Sequence, residues 1–213
     1  MELEIEEGWV EAELAEDFPD LRLVHAPLEA RPRPTPPEVK QRLRDLADRY
    51  TGAKVVHMRQ DDVPWAYRVF ARQVGVDPDR QRTPVEALAL ERLRQGGLRS
   101  RNLVDDALTV AIAETGVALL ALDAGRVEGE PGLRLARSGE RMGVRPLSDG
   151  QIVIADDIRP LAIALGEISE EAGVTPACEQ MLLCALGVKG VPRMSIEEAL
   201  LTAAQWLYTA ERG

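Results

Sequence analysis

The chain has 213 residues and 45% hydrophobic content, enough to bury roughly 70% of its unfolded surface, so a core needs neither disulfide nor metal. Its two cysteines, Cys178 and Cys184, are too few and too oddly spaced for a disulfide framework or a zinc site, and they read as reduced core residues. The formal net charge of −10 opposes nucleic acid as a sum, but residues 1–20 carry −9, residues 21–101 carry +7 and residues 102–213 carry −8.

The first twenty residues are rich in glutamate and show neither a basic n-region nor an apolar h-region, so no signal peptide is expected. No segment reaches the roughly 18 continuous apolar residues of a membrane span, and a soluble, cytoplasmic chain is the expectation. Pro27 to Pro37 contains five prolines, which fix φ and lack amide donors, and is expected to run as an extended connector. Residues 1–36 then form an acidic N-terminal arm with its proline-rich connector, and residues 37–213 form the main domain.

Three capping boxes follow, Thr35-Pro-Pro-Glu38, Thr83-Pro-Val-Glu86 and Ser195-Ile-Glu-Glu198, in which hydroxyl and carboxylate satisfy orphan amides reciprocally. They predict helices near 37–50, 84–95 and 195–210, with a further helix near 62–74. Another, near 103–114, carries apolar residues almost all round and is expected to be largely buried. The texture then changes to short apolar runs divided by Gly, Asp and Pro: Val117–Leu122, Leu133–Ala136, Gln151–Ala155, Leu161–Leu165 and Met181–Val188 read as strands. Helices first and strands second argue for an α+β fold, a helix-rich N-terminal half packed on a strand-rich C-terminal half.

Several chemistries are missing. There is no phosphate-cradling G-x-x-x-x-G-K-[ST] loop, no G-x-G-x-x-G turn and no G-x-S-x-G elbow. His25 and His57, the only histidines, stand far apart without a neighbouring Cys and read as ordinary surface or hydrogen-bonded residues. The acid pairs Asp105–Asp106 and Asp156–Asp157 are not built-in dyads, because neighbours diverge on helix and strand alike; Asp156–Asp157 reads as a strand end entering a turn.

Read in order, W-A-Y-R at Trp65–Arg68, G-V-D-P at Gly75–Pro78, T-P-V-E-A-L at Thr83–Leu88, N-L-V-D at Asn102–Asp105 and A-L-D-A-G-R-V at Ala121–Val127 form a series. L-R-L-A-R-S-G-E at Leu133–Glu140 and G-Q-I-V-I-A-D at Gly150–Asp156 continue it, followed by Pro160-Leu-Ala-Ile-Ala and Gly173-Val-Thr175. This series resembles the B3/B4 domain of the phenylalanyl-tRNA synthetase beta chain over about 130 of the 213 residues. The resemblance implies an α+β domain that binds RNA and a pocket that hydrolyses the ester joining a wrong amino acid to tRNA, a second site of the kind needed when one binding step discriminates too little. A separate small protein of this kind is expected to bind or deacylate mischarged tRNA in trans. Ester hydrolysis asks for an oriented water and oxyanion donors, so no metal or other cofactor is expected.

The chain also departs from that pattern. Where the bacterial synthetase carries a histidine and a glutamate, this chain has Leu120 and Leu183. The polar members of the matching motifs, Asn102, Asp105, Asp123, Glu140 and Thr175, are the substrate-pocket candidates. Each has a purely structural alternative as a helix cap, dipole acid, turn residue or strand-edge hydroxyl. Arg68, Arg72, Arg80, Arg82, Arg92 and Arg94, with Arg99 and Arg101 beyond, are the RNA-binding candidates, since the guanidinium fork suits phosphate. Trp65 and Tyr67 are candidates for base stacking or for the core. Three readings stay open at this point: an aminoacyl-tRNA deacylase, a non-catalytic RNA- or aminoacyl-binding module, and a small-molecule-binding domain.

Overall fold

A computed structural model describes residues 3–50 and 52–209. In chain order its elements are β1 (Glu6–Glu7), β2 (Trp9–Val10), α1 (Ala12–Asp17), β3 (Arg22–Glu29), α2 (Pro37–Arg49), α3 (Gly52–His57), α4 (Asp62–Gln73), α5 (Pro84–Gln95) and α6 (Leu103–Thr115). There follow β4 (Leu119–Asp123), β5 (Gly132–Leu135), β6 (Arg141–Met142), β7 (Arg145–Pro146), β8 (Ile152–Ala155), β9 (Pro160–Ile163), β10 (Gln180–Gly187) and α7 (Arg193–Thr209). The α+β expectation holds, and the predicted strands appear within a few residues of their expected limits. The last of the consecutive ones ends early because Leu165 takes a positive φ of 59°, a left-handed turn that a strand cannot continue through.

Two four-stranded sheets organise the molecule. Sheet A has the order β1-β3-β10-β4 and sheet B the order β2-β5-β8-β9. The long pairing of β10 with β3 runs from Gln180 opposite Glu29 to Gly187 opposite Arg22, and β10 pairs β4 on its other side. One face of sheet A, with Val24, Leu28, Ala121, Met181, Leu183 and Ala185, packs under α6 and α7. The other face, with Leu23, Leu122, Leu182, Cys184 and Leu186, packs on Leu133, Ile152, Ile154 and Leu161 of sheet B and on Tyr67 and Phe70 of α4. Strand β10 is therefore apolar on both faces, which is why Met181–Val188 reads as one unbroken hydrophobic run. Outside the helical layer, α2 lays Leu43 and Leu46 on Val110 of α6, so α6 is covered on two sides, as its all-round apolar surface requires.

The N-terminal region departs from expectation. Residues 22–29, assigned to a separate arm and partly to a connector, are the second strand of sheet A. The segment before them joins sheet B, where β2 pairs β5 in parallel. The approach is so close that a Cβ on Gly132 would lie 2.1 Å from the Trp9 ring, and only glycine fits there. Pro27 misled the sequence reading: β1 reaches only Val24 and His25, leaving Pro27 on an unpaired edge, where a missing donor is tolerated.

Two of the three capping boxes are also corrected. Thr83 caps α5 as expected, with Glu86 accepting from the Thr83 N–H at 3.2 Å and its hydroxyl at 3.0 Å. Thr35 is not the cap of α2, whose N-cap is Pro36; its hydroxyl donates instead to Asp106 at 2.6 Å. Helix α7 starts at Arg193, two residues ahead of the expected Ser195 cap.

Candidate functional site

All three long strands of sheet A contribute to one end of the sheet. Here β4 ends, β10 begins and β3 runs out into residues 30–36, and between them lies a cleft of about 1110 Å³. Glu29, Ala30, Arg31, Pro32 and Arg33 form one wall, Ala177, Glu179 and Gln180 another, with Asp123 and Gly125 on the floor and Tyr208 of α7 at the side. Arg31 meets Glu179 across it at 2.8 Å, both side chains 72% exposed. Arg33 donates to the Leu207 carbonyl near the end of α7 at 3.3 Å, where a cation suits the helix dipole, and its buried Nε has no partner.

Asp123 is the one pocket candidate that lines this cleft. It is the last residue of β4, accepts from the Gly125 N–H at 3.2 Å and pairs with Arg126 at 3.3 Å, its side chain 11% exposed. Thr175 lies in the turn that carries the second wall: its carbonyl accepts from the Cys178 N–H at 2.9 Å, while its buried hydroxyl is unpartnered. Cys178 donates its thiol to the Gln180 carbonyl at 3.1 Å. Burial and the nearby Asp123 carboxylate push that thiol up to about 11, and burial pushes Cys184 up to about 12, so both are protonated thiols rather than nucleophiles.

The remaining candidates stand elsewhere. Asn102 caps α6, its side-chain oxygen accepting from the Asp105 N–H at 3.0 Å and its amide donating to the Asp105 carboxylate at 2.8 Å, so these two residues satisfy each other. Glu140 lies in the turn between β5 and β6, where Arg134 of sheet B grips both its oxygens at 2.7 and 2.6 Å. That bidentate bond holds the Glu140 carboxyl below its ordinary value. Leu120 and Leu183 lie on opposite faces of sheet A: Leu183 sits opposite Ala121 under the helices, and the residue opposite Leu120 is Cys184. The two apolar replacements do not share a pocket.

Sequence reasoning missed two residues. Asp106, not Asp105, is the consequential acid of its pair, 1% exposed and accepting from the hydroxyls of Thr35 and Ser100 and from the Arg101 N–H. The available signal was its place among apolar neighbours on a buried helix. His25, read as surface or hydrogen-bonded, is 4% exposed and neither ring nitrogen has a hydrogen bond. Burial lowers its pKa, against the opposing charges of Glu6 and Glu130. His57 is exposed, as expected.

The arginine candidates divide. Arg68 is 4% exposed and committed to Glu86 at 2.8 Å and Asp79 at 2.9 Å, which removes it from any RNA surface. Arg82 and Arg59 join the same network. Arg72 lies over the half-exposed Trp65 ring at 5.7 Å, a cation–π contact. Arg92 donates to the Ala47 carbonyl at the end of α2 at 2.7 Å, whereas Arg80 and Arg94 are exposed. Tyr67 is fully buried, donating to the Leu186 carbonyl at 2.5 Å, and is a core residue.

Among the described residues no group of three or more His, Cys, Asp or Glu side chains is arranged to hold a metal ion. No described helix is long and apolar enough to cross a membrane.

Compared with known proteins, residues 66–211 match the B3/4 domain family. Curated relatives include the phenylalanine–tRNA ligase beta subunits of Legionella pneumophila strain Lens, 37% identical over 79 residues, and Nitrosospira multiformis, 35% identical over 103 residues. That of Streptomyces avermitilis is 35% identical over 103 residues. These matches cover 35%, 44% and 46% of this chain but only 10%, 13% and 12% of the relatives, respectively, so the chain spans a small part of each.

Proposed function

The chain belongs to the B3/4 domain family, and from that premise we propose that it takes the aminoacylated end of a tRNA into the cleft at the end of sheet A and hydrolyses the ester of a mischarged aminoacyl-tRNA in trans. The kinship with ligase subunits named for phenylalanine and tRNA supports the substrate class. The observation that carries the reading is Asp123, the acid of the A-L-D-A-G run, on the cleft floor beside Arg126, with Arg31 and Arg33 on the wall.

In this reading Asp123 orients a water molecule and accepts its proton as the water oxygen bonds to the ester carbonyl carbon. Guanidinium donors meet the developing oxyanion. The carbon–oxygen bond to the terminal ribose then breaks, the ribose oxygen recovers a proton, and free amino acid and uncharged tRNA leave. Following ester loss from a panel of mischarged tRNAs tests this. Hydrolysis of at least one substrate is expected, with Asp123→Asn slower by about 10²-fold or more, the size of a general-base contribution. No hydrolysis above buffer on any substrate removes the enzyme reading.

A second reading, a non-catalytic binding module, draws on Leu120 and on the pairing of Asp123 with Arg126, which engages the acid a base would need. Salt-dependent tRNA binding without turnover favours it.

A further inference from the structure

Asp106, the fourth residue of α6, fastens two chain segments to each other. Its Oδ2 accepts from the Thr35 and Ser100 hydroxyls at 2.6 Å each, and its Oδ1 from the Arg101 N–H at 2.9 Å. The Leu103 N–H donates to the Arg33 carbonyl at 3.0 Å, between the same segments. One segment, residues 31–35, runs on from the cleft wall; the other, residues 99–102, leads from α5 into α6. A buried carboxylate met only by neutral donors is a costly way to join two loops. What it secures is a fixed spacing between the arginines they carry, Arg31 and Arg33 on one side, Arg99 and Arg101 on the other, with Arg94 at the end of α5.

These arginines differ from those around Asp79 in how they are satisfied. Arg94 and Arg99 are exposed and have no ion-pair partner among the described residues. Arg31 and Arg101 pair with Glu179 and Glu91, but their own side chains are 72% and 63% exposed, and such surface pairs are weak enough for a phosphate to replace. We propose that Arg31, Arg94, Arg99 and Arg101 form a phosphate track along which the backbone of an RNA strand reaches the cleft, with Asp106 setting the spacing of its two halves. The proposal rests on the tRNA reading of the cleft and adds to it the route of entry.

Binding of tRNA to the intact protein, followed by fluorescence anisotropy across a range of salt, tests the track. Each phosphate contact contributes about 0.7–0.9 to the slope of log K against log salt. The variant Arg94→Gln/Arg99→Gln/Arg101→Gln is expected to lose about 2 units of slope, and Arg72→Gln/Arg80→Gln to keep the wild-type slope. Thr35→Val/Ser100→Ala, which loosens the Asp106 clamp and keeps every arginine, is expected to bind several-fold more weakly. Wild-type binding with an unchanged slope in the triple variant, or a loss carried by the double variant, overturns the track and leaves the tRNA reading standing. Unchanged affinity in Thr35→Val/Ser100→Ala overturns the role of Asp106, and no binding by the wild-type protein overturns track and tRNA reading together.

Discussion

Two arginine-rich regions that look alike in the sequence behave as opposites in the fold. Around α4 and α5, Arg59, Arg68 and Arg82 converge on Asp79 and Glu86, with Arg68 and Glu86 buried to 5% and 3% side-chain exposure. Around the cleft and the α5–α6 loop, Arg94 and Arg99 meet no acid among the described residues, and Arg31 and Arg101 meet theirs at the surface. The first region spends its charge on holding helices together. The second leaves charge available to a ligand, and composition alone, +7 over residues 21–101, cannot tell the two apart.

The largest expected effect breaks the buried set. Arg68→Ala strands Glu86 in the interior, so it is expected to cost about 3–5 kcal/mol, read as a lowered denaturant midpoint. Arg59 remains 3.2 Å from Glu86, and a loss well below 1 kcal/mol in that experiment points to Arg59 holding Glu86 alone. Next comes Asp106→Ala, which deprives two hydroxyls and an amide of their acceptor; about 2–3 kcal/mol is expected from the same measurement, as for loss of hydrogen bonds to a charged group.

Acid probes the first region directly. The Arg68 hydrogen bond holds Asp79 below its ordinary value of 3.8, so its stabilisation is present above that value and is lost as pH falls through and below it. That loss is one acid limb of the stability curve. His25 adds an earlier one: burial keeps its folded pKa below 6.5, so the unfolded chain takes up the proton first and stability declines as pH falls from 6.5. His25→Leu is expected to flatten that part of a stability-against-pH curve, and an unchanged slope would mean that His25 takes up its proton equally in the folded and unfolded chain. The smallest effect is Arg99→Gln, expected to leave stability within about 0.5 kcal/mol while lowering tRNA affinity at low salt.

Much of the scaffold is legible in the sequence because period and run length report burial directly. Helix α6 shows its all-round apolar surface, β10 its unbroken run and Thr83-Pro-Val-Glu86 its cap. What escapes is pairing between residues distant in sequence. Strand β3 hides behind Pro27, since no local pattern says that position lies on an unpaired edge. Thr35 and Ser195 carry the capping pattern, yet Thr35 turns to Asp106 and α7 begins two residues early. The cleft is harder still, assembled from residues 29–33, 123–125, 177–180 and 208. Motif matching found Asp123 among them but not the walls, and it gave Arg68 and Arg94 the same weight because partners do not show in a one-dimensional pattern.

The most direct test is to let the nucleic acid report its own position. A tRNA carrying a photoreactive group on its 3′ end is bound to the intact protein, irradiated, and the cross-linked peptides are identified by mass spectrometry. Cross-links to residues 29–33 or 177–180 are the expected result, whereas cross-links confined to the β6–β7 hairpin or to α4 contradict the placement of the aminoacylated end in the cleft.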